Sequence, residues 1–254
     1  PKVFPNDAPV LSSAPFLNTL LKNPNHIGCH TLGSSESFFS GTQKIETELI
    51  NICATDILRA QPHSCDGYVA SGGTEANIQA IWTYRNLFRN TDGALNSEIC
   101  ILTSTDAHYS MAKAADLLNI DIIHVPVDKE NRALKSADVA NSIAEEKTNG
   151  KKYFIVVCNM MTTMFGSVDD PDTYIRPLEE SGLKFKLHID GAYGGFLYPF
   201  TDPNSTLNFE NHQVSSITLD AHKLVQAPYG TGILVMRKGL MEHVYTKSAK
   251  YVKG

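Results

Sequence analysis

Short continuous apolar runs alternate along this chain with longer stretches in which apolar residues return every third or fourth position, the pattern of strands and helices taken in turn. The runs fall at 67–70, 99–103, 121–127, 153–158, 185–189, 216–219 and 232–236. Helical spacing occupies 74–89, 108–118, 136–147 and a stretch near 172–181. In the first of these, Ile78, Ile81, Trp82 and Leu87 are expected to face inward. An earlier helix begins near Thr42, where Ile45, Leu49, Ile52, Cys53 and Ile57 share a face and Gln43, Glu46, Glu48 and Asn51 lie between them, so that helix is amphipathic. Strands separated by helices pair in parallel through crossovers, and the pattern predicts an α/β domain with a mainly parallel sheet covered on both faces. Residues 1–40 differ. They are rich in Pro, Ser and Asn without sustained periodicity, which predicts an N-terminal arm ordered by packing on another surface, as arms that cross a dimer interface are.

Composition narrows the classes. At 254 residues with 42% hydrophobic content, the chain can bury one large core. A formal net charge of −5 with no basic run argues against a nucleic-acid partner. The apolar runs 153–158 and 232–236 are far shorter than the roughly 20 residues that span a bilayer, so no membrane partner is expected. Cys29, Cys53, Cys65, Cys100 and Cys158 form an odd set without a CxxC, which fits a reducing cytoplasm better than a disulfide framework. His26, Cys29 and His30 lack a fourth ligand, and no metal is expected.

The ends of the strands carry the chemistry. The run 216–219 leads into Asp220-Ala-His-Lys223, and the run 185–189 ends in Asp190, followed by Gly191, Ala192, Gly194 and Gly195. Loops at the carboxyl ends of parallel strands gather into one crevice, which brings this amine and this carboxylate together. An amine that condenses with an aldehyde and a carboxylate that keeps a pyridine nitrogen protonated are what pyridoxal 5'-phosphate (PLP) requires of a protein. A strand-end Asp is also a common turn former, and most lysines are solvated surface groups, so the combination carries the argument. Ser71-Gly-Gly-Thr-Glu-Ala-Asn77 follows a strand and opens a helix, putting the amides of Gly73 and Thr74 at the positive helix end, where phosphate is favoured. The same segment reads equally as a plain N-cap at Thr74, and its spacing is not that of a nucleotide loop. His108, in Thr105-Asp-Ala-His-Tyr-Ser110, falls at another strand-to-helix junction, where an imidazole can lie over a conjugated ring and relay a proton, or can simply start a helix. His222 is placed to bind phosphate, and 227–232 reads as a tight turn beneath the site.

These segments, in this order, resemble the group II PLP-dependent decarboxylases, whose members act on aromatic amino acids, glutamate, tyrosine and aspartate. The resemblance runs from about residue 39 to residue 239. It is carried by Gly41-Thr-Gln-Lys-Ile-Glu-Thr-Glu48, by 71–77, by His108-Tyr-Ser-Met-Ala-Lys-Ala114, by Thr162-Thr163 with Asp169-Asp170, by His188-Ile-Asp-Gly-Ala-Tyr-Gly-Gly195 and by 220–223. It implies the aspartate aminotransferase-like fold (PLP fold type I), with residues 41–254 as the PLP-binding large domain and the family's small C-terminal domain absent from this chain. By the same resemblance Lys223 would form the Schiff base, Asp190 would pair with the pyridine nitrogen, His108 would stack on the ring and Ala192 would pack on its other face. Gly73, Thr74 and His222 would hold the phosphate, helped by Ser216 or Asp220, and Thr163 would lie near the ring. Met161 stands where many members have glycine.

The implied function is decarboxylation of an L-amino acid to its amine and CO2, with Lys223, His108 and Asp190 as catalytic residues and a homodimer as the assembly. An aldehyde lyase resembling sphingosine phosphate lyase shares the Gly-Gly-Thr-Glu segment, the Asp strand and the His-Lys pair and stays open, as does a non-catalytic subunit of the same fold. Thr74-Glu-Ala-Asn-Ile-Gln79 looks more like the decarboxylase version.

Overall fold

The computed structural model describes residues 40–244. The expected arm, Ser40 apart, and the trio His26, Cys29 and His30 lie outside the described residues. Helix α1 (Ser40–Ile52) runs into a π turn at Cys53–Ile57, and β1 (Cys65–Ala70) follows. Next come α2 (Gly73–Asp92), β2 (Ile99–Ser104), α3 (Ser110–Leu118), β3 (Asp121–Val125), α4 (Ser136–Thr148) and β4 (Tyr153–Asn159). The last described elements are α5 (Asp172–Glu180), β5 (Lys184–Gly191), the short α6 (Tyr198–Thr201), β6 (Val214–Asp220), β7 (Gly232–Arg237) and a 3-10 turn at Leu240–His243.

Seven strands form one sheet in the order β1-β7-β6-β5-β4-β2-β3. Only β7 runs against the rest, pairing antiparallel with both β1 and β6, so the sheet is mainly parallel as the alternation of elements predicts. Strand period 2 splits the side chains between two cores. Leu102, Phe154, Val156, Leu187, Ile189, Ile217 and Leu219 pack with Ile50 and Cys53 near α1, Val139 and Ile143 of α4, and Tyr174 and Leu178 of α5. On the other face Ile99, Ile101, Ile155, Val157, Leu234 and Met236 pack with Ala80, Ile81 and Tyr84 of α2 and Met111 and Ala114 of α3. Burial on both faces is why β4 and β2 read as unbroken apolar runs.

Two helices turn their apolar residues differently from the expected arrangement. In α2 the buried stripe is Gly73, Ala76, Asn77, Ala80, Ile81, Tyr84 and Phe88, whereas Ile78, Trp82 and Leu87 sit partly exposed at its flanks. The reason is close approach: small residues at 73, 76 and 80 let the helix lie near the sheet, and the large apolar side chains are displaced to its shoulders. In α1, Ile50 is buried while Ile45 is 69% and Ile52 46% exposed, so much of the apolar stripe faces away from this chain's core. The helix still has an anchoring role, because the Glu46 carboxylate accepts the Val69 N–H of β1 at 2.7 Å. The run 121–127 is also shorter as a strand, ending at Val125, with Val127 in an isolated bridge to Leu134. Among the described residues no helix is long and apolar enough to cross a membrane.

Candidate active site

The carboxyl ends of β4, β5 and β6 place Asn159, Asp190 and Asp220 along one edge, with Asn159 opposite Asp190 and Asp190 opposite Thr218 in the sheet register. Opposite this edge stands the start of α2. The glycine loop is wedged between strands. A Cβ on Gly232, the first residue of β7, would lie 2.5 Å from the Gly72 carbonyl carbon, and one on Gly73 would lie 2.8 Å from both Ala192 Cβ and Asp220 Oδ2. Glu75 closes the loop by accepting the Ser71 N–H at 2.6 Å. The free amides at the start of this twenty-residue helix therefore point at the strand ends, a ready-made anion site.

Between them lies a cavity of about 290 Å³. Gly73, Thr74, His108, Thr163, Asp190, Ala192, Asp220, His222 and Lys223 all line it. Lys223 Nζ sits 2.8 Å from Asp220 Oδ2, and His222 Nε2 is 3.8 Å from the same oxygen. Asp190 accepts the Ala192 N–H on Oδ1 at 3.1 Å and the Asn77 Nδ2 on Oδ2 at 2.9 Å, so each oxygen keeps a lone pair for a further donor. Burial pushes the Asp190 carboxyl above the usual range, opposed by the Ala192 N–H and by His108, Lys223 and Asn77. Burial likewise lowers the His108 pKa, with Lys223 acting in the same direction and Asp190 against it.

One expected phosphate contact falls elsewhere, and another reaches the cavity with the wrong charge. Ser216 is fully buried inside β6, bonded to Tyr84 and His188, and does not reach the cavity. It points to the α2 face of the sheet, four residues before the strand end where the cavity opens. Asp220 does line the cavity, but a carboxylate repels an anion, and its place is to orient the Lys223 ammonium. From the segment 227–232, Tyr229 lines the cavity, its ring 5.1 Å from that of His222. Met161 adopts φ +66, the left-handed region that favours glycine.

Residues 42–253 match the pyridoxal-dependent decarboxylase conserved domain. The chain belongs to the pyridoxal-dependent decarboxylase family. The tryptophan decarboxylase of Clostridium sporogenes is 51% identical over 251 residues, a match covering 99% of this chain and 60% of that protein. The chain thus spans less than two thirds of that relative's length. L-methionine decarboxylase from Streptomyces sp. 590 shares the fold with a TM-score of 0.80 at 19% identity, over 99% of this chain and 67% of that one. Sphingosine-1-phosphate lyase of Burkholderia pseudomallei gives 0.67 at 22% identity over 83% of this chain and 48% of that one. At such identities the likeness is one of fold, and the fold is the expected α/β large domain of the PLP decarboxylases.

Pyridoxal phosphate is the cofactor of this family, and the residues present fit it. Gly73 leaves space that a Cβ would fill. His222 Nδ1 and Asp220 Oδ1 are buried without a hydrogen-bond partner among the described residues. An amine, a buried carboxylate with lone pairs to spare and a helix N-terminus converge on one cavity, as an aldehyde, a ring nitrogen and a phosphate require.

Sequence reasoning quoted Asn77, Ser110 and His188 within motifs and gave them no part. Asn77 and Ser110 are almost completely buried, and His188 is wholly so. The available signal was a polar residue on the inward stripe of α2 and polar alternation in β5 facing the same way. Asn159 and Asp169 were missed likewise. Asp169 Oδ2 accepts the Asn159 N–H at 2.9 Å and its Nδ2 at 2.7 Å, fixing the cavity floor.

Proposed function

We propose that this chain is the cofactor-binding part of an amino acid decarboxylase, which converts an L-amino acid to its amine and CO2 with uptake of one proton at the α-carbon. The observation that carries it is the convergence of Lys223, Asp190 and the α2 N-terminus on one cavity in a chain of this family. When bound, pyridoxal phosphate holds the substrate nitrogen covalently and takes up the electron pair released as the carboxylate leaves. The chain's own part is placement. The Gly73 and Thr74 amides and His222 hold the phosphate, and Asp190 keeps the proton on the ring nitrogen. His108 and Ala192 would flank the ring. Lys223 Nζ, beside Asp220, would supply the amine that holds the cofactor aldehyde.

Residues 41–254 are the large domain in this reading, and 1–40 the arm. Tryptophan is the first substrate to test, since the similar Clostridium protein is a tryptophan decarboxylase. A homodimer is supported by the apolar stripe that α1 leaves exposed at Ile45, Leu49 and Ile52, and sedimentation of the purified protein checks it. A cytoplasmic setting is supported by Cys53, Cys65, Cys100 and Cys158, all buried free thiols.

The test is borohydride reduction of the full-length protein with pyridoxal phosphate, followed by peptide mapping, beside assays of CO2 and aldehyde release from the common amino acids. Reduction is expected to fix the cofactor on Lys223, and Lys223→Ala to lose both the fixed cofactor and CO2 release. Aldehyde in place of CO2 would establish an aldehyde lyase; no cofactor retention in the wild type would favour a non-catalytic subunit.

A further inference from the structure

Between the sheet and α2 lies a run of hydrogen bonds with one permitted direction. An ionised Asp190 only accepts, so Asn77 turns Nδ2 toward Asp190 Oδ2 and Oδ1 toward His188 Nε2, each at 2.9 Å. His188 Nε2 therefore carries a proton. The ring is wholly buried, and burial holds its pKa down to about 3, so it is neutral and its Nδ1 accepts from Ser216 Oγ at 2.7 Å. Ser216 in turn accepts from Tyr84 at 2.5 Å.

The second Nδ2 proton of Asn77 goes to Ser110 Oγ at 3.1 Å. Ser110 meets His108 twice: its backbone N–H lies 3.3 Å from Nδ1, and its hydroxyl 2.9 Å from the same atom. A backbone N–H cannot be turned around, so Nδ1 must offer a lone pair, and the hydroxyl, already accepting from Asn77, donates to it as well. Neutral His108 then has its proton on Nε2, the nitrogen left for the cavity.

We propose that Asn77 is a positioning residue, joining Asp190, which faces the ring nitrogen, to a His108 that Ser110 fixes as the Nε2–H tautomer. The proposal rests on the assignment of this cavity to pyridoxal phosphate. Its chemical meaning is that His108 presents an N–H, and not a lone pair, to a substrate carboxylate lying against it. Such a group donates to the carboxylate oxygens and orients them, where a lone pair would repel them. The amide of one helix residue thereby sets both the acceptor facing the ring nitrogen and the donor facing the substrate.

The experiment is long-range proton–nitrogen correlation on full-length protein labelled with 15N-histidine, with and without pyridoxal phosphate. The charged groups facing His108 are Asp190, Lys223, Asp220 and Lys113, so each titration is read as variant against wild type. Wild type is expected to show His108 and His188 both as Nε2–H tautomers. Ser110→Ala removes a donor to the neutral ring and is expected to raise the His108 midpoint by roughly 0.5–1 pH unit, with cofactor affinity within about threefold of wild type. Ser110→Thr keeps the hydroxyl and the wild-type midpoint. Asn77→Leu leaves the Ser110 hydroxyl within reach of Nδ1 and is expected to raise the midpoint by less than Ser110→Ala does, but, having lost the donor to Asp190, to weaken cofactor binding at least about tenfold. If that variant does not fold, the wild-type spectrum and the Ser110 pair still decide. A wild-type His108 protonated on Nδ1, or a Ser110→Ala midpoint unchanged from wild type, overturns the proposal. The expected tautomers in a protein that binds no pyridoxal phosphate would overturn the cofactor reading and support the hydrogen-bond chain.

Discussion

Single residues decide whether a flat, phosphorylated ligand fits this cavity. Gly73 is the sharpest case, because its missing Cβ is the space between Ala192 Cβ, which cannot rotate away, and the carboxylate of the buried Asp220. Gly73→Ala is expected to cost about 1–3 kcal/mol of stability, read from urea denaturation, and to weaken cofactor binding at least about tenfold, read by absorbance titration. Lys223 and Asp190 were legible in the sequence because both follow from the carboxyl ends of neighbouring parallel strands, where an amine and a carboxylate meet in one crevice. Ser216 was not. Alternation along β6 gives its face, the one toward α2, but does not say that Tyr84 and His188 already engage its hydroxyl. A sequence shows which side of a sheet a residue takes, and the packed helix above decides what it meets.

Helices and strands were legible in kind and order, since period 2 and period 3.6 differ plainly in a chain with this much apolar content. Their orientations were less so, for a physical reason visible in α1. Its stripe at Ile45, Leu49 and Ile52 is apolar yet largely exposed, and what docks the helix is Ile50 together with a polar contact from Glu46 to the edge strand. The carboxylate gives this edge N–H an acceptor that no neighbouring strand among the described residues supplies. Glu46→Ala is expected to destabilise the protein by about 1–3 kcal/mol and to speed hydrogen exchange at Val69. Glu46→Gln, which keeps an acceptor oxygen, is expected to lose less.

For the whole molecule, the clearest pH response belongs to the cavity floor. Burial raises the Asp169 carboxyl from 3.8 to about 6, against the pull of the Asn159 donors. A group that holds its proton more tightly folded than unfolded stabilises fully below its unfolded pKa, and that contribution is lost as pH rises through the folded one. The loss between those values is on the order of 3 kcal/mol. Asp169→Asn keeps a carbonyl oxygen for Asn159 and removes the step. The stability difference between wild type and variant is therefore expected to shift by that amount from pH 4 to pH 7, measured by urea midpoints. The sheet order has a consequence of another kind. Among the described residues the only strand partner of β1 is β7, so Cys65 waits for Arg237, 172 positions later (237 − 65). On the ribosome, the first strand and the glycine loop attached to it stay unpaired until nearly all of the sheet has been translated. The anion-binding end of this domain is thus among the last parts to be finished, and a nascent chain halted before residue 232 would carry the loop's sequence without its shape.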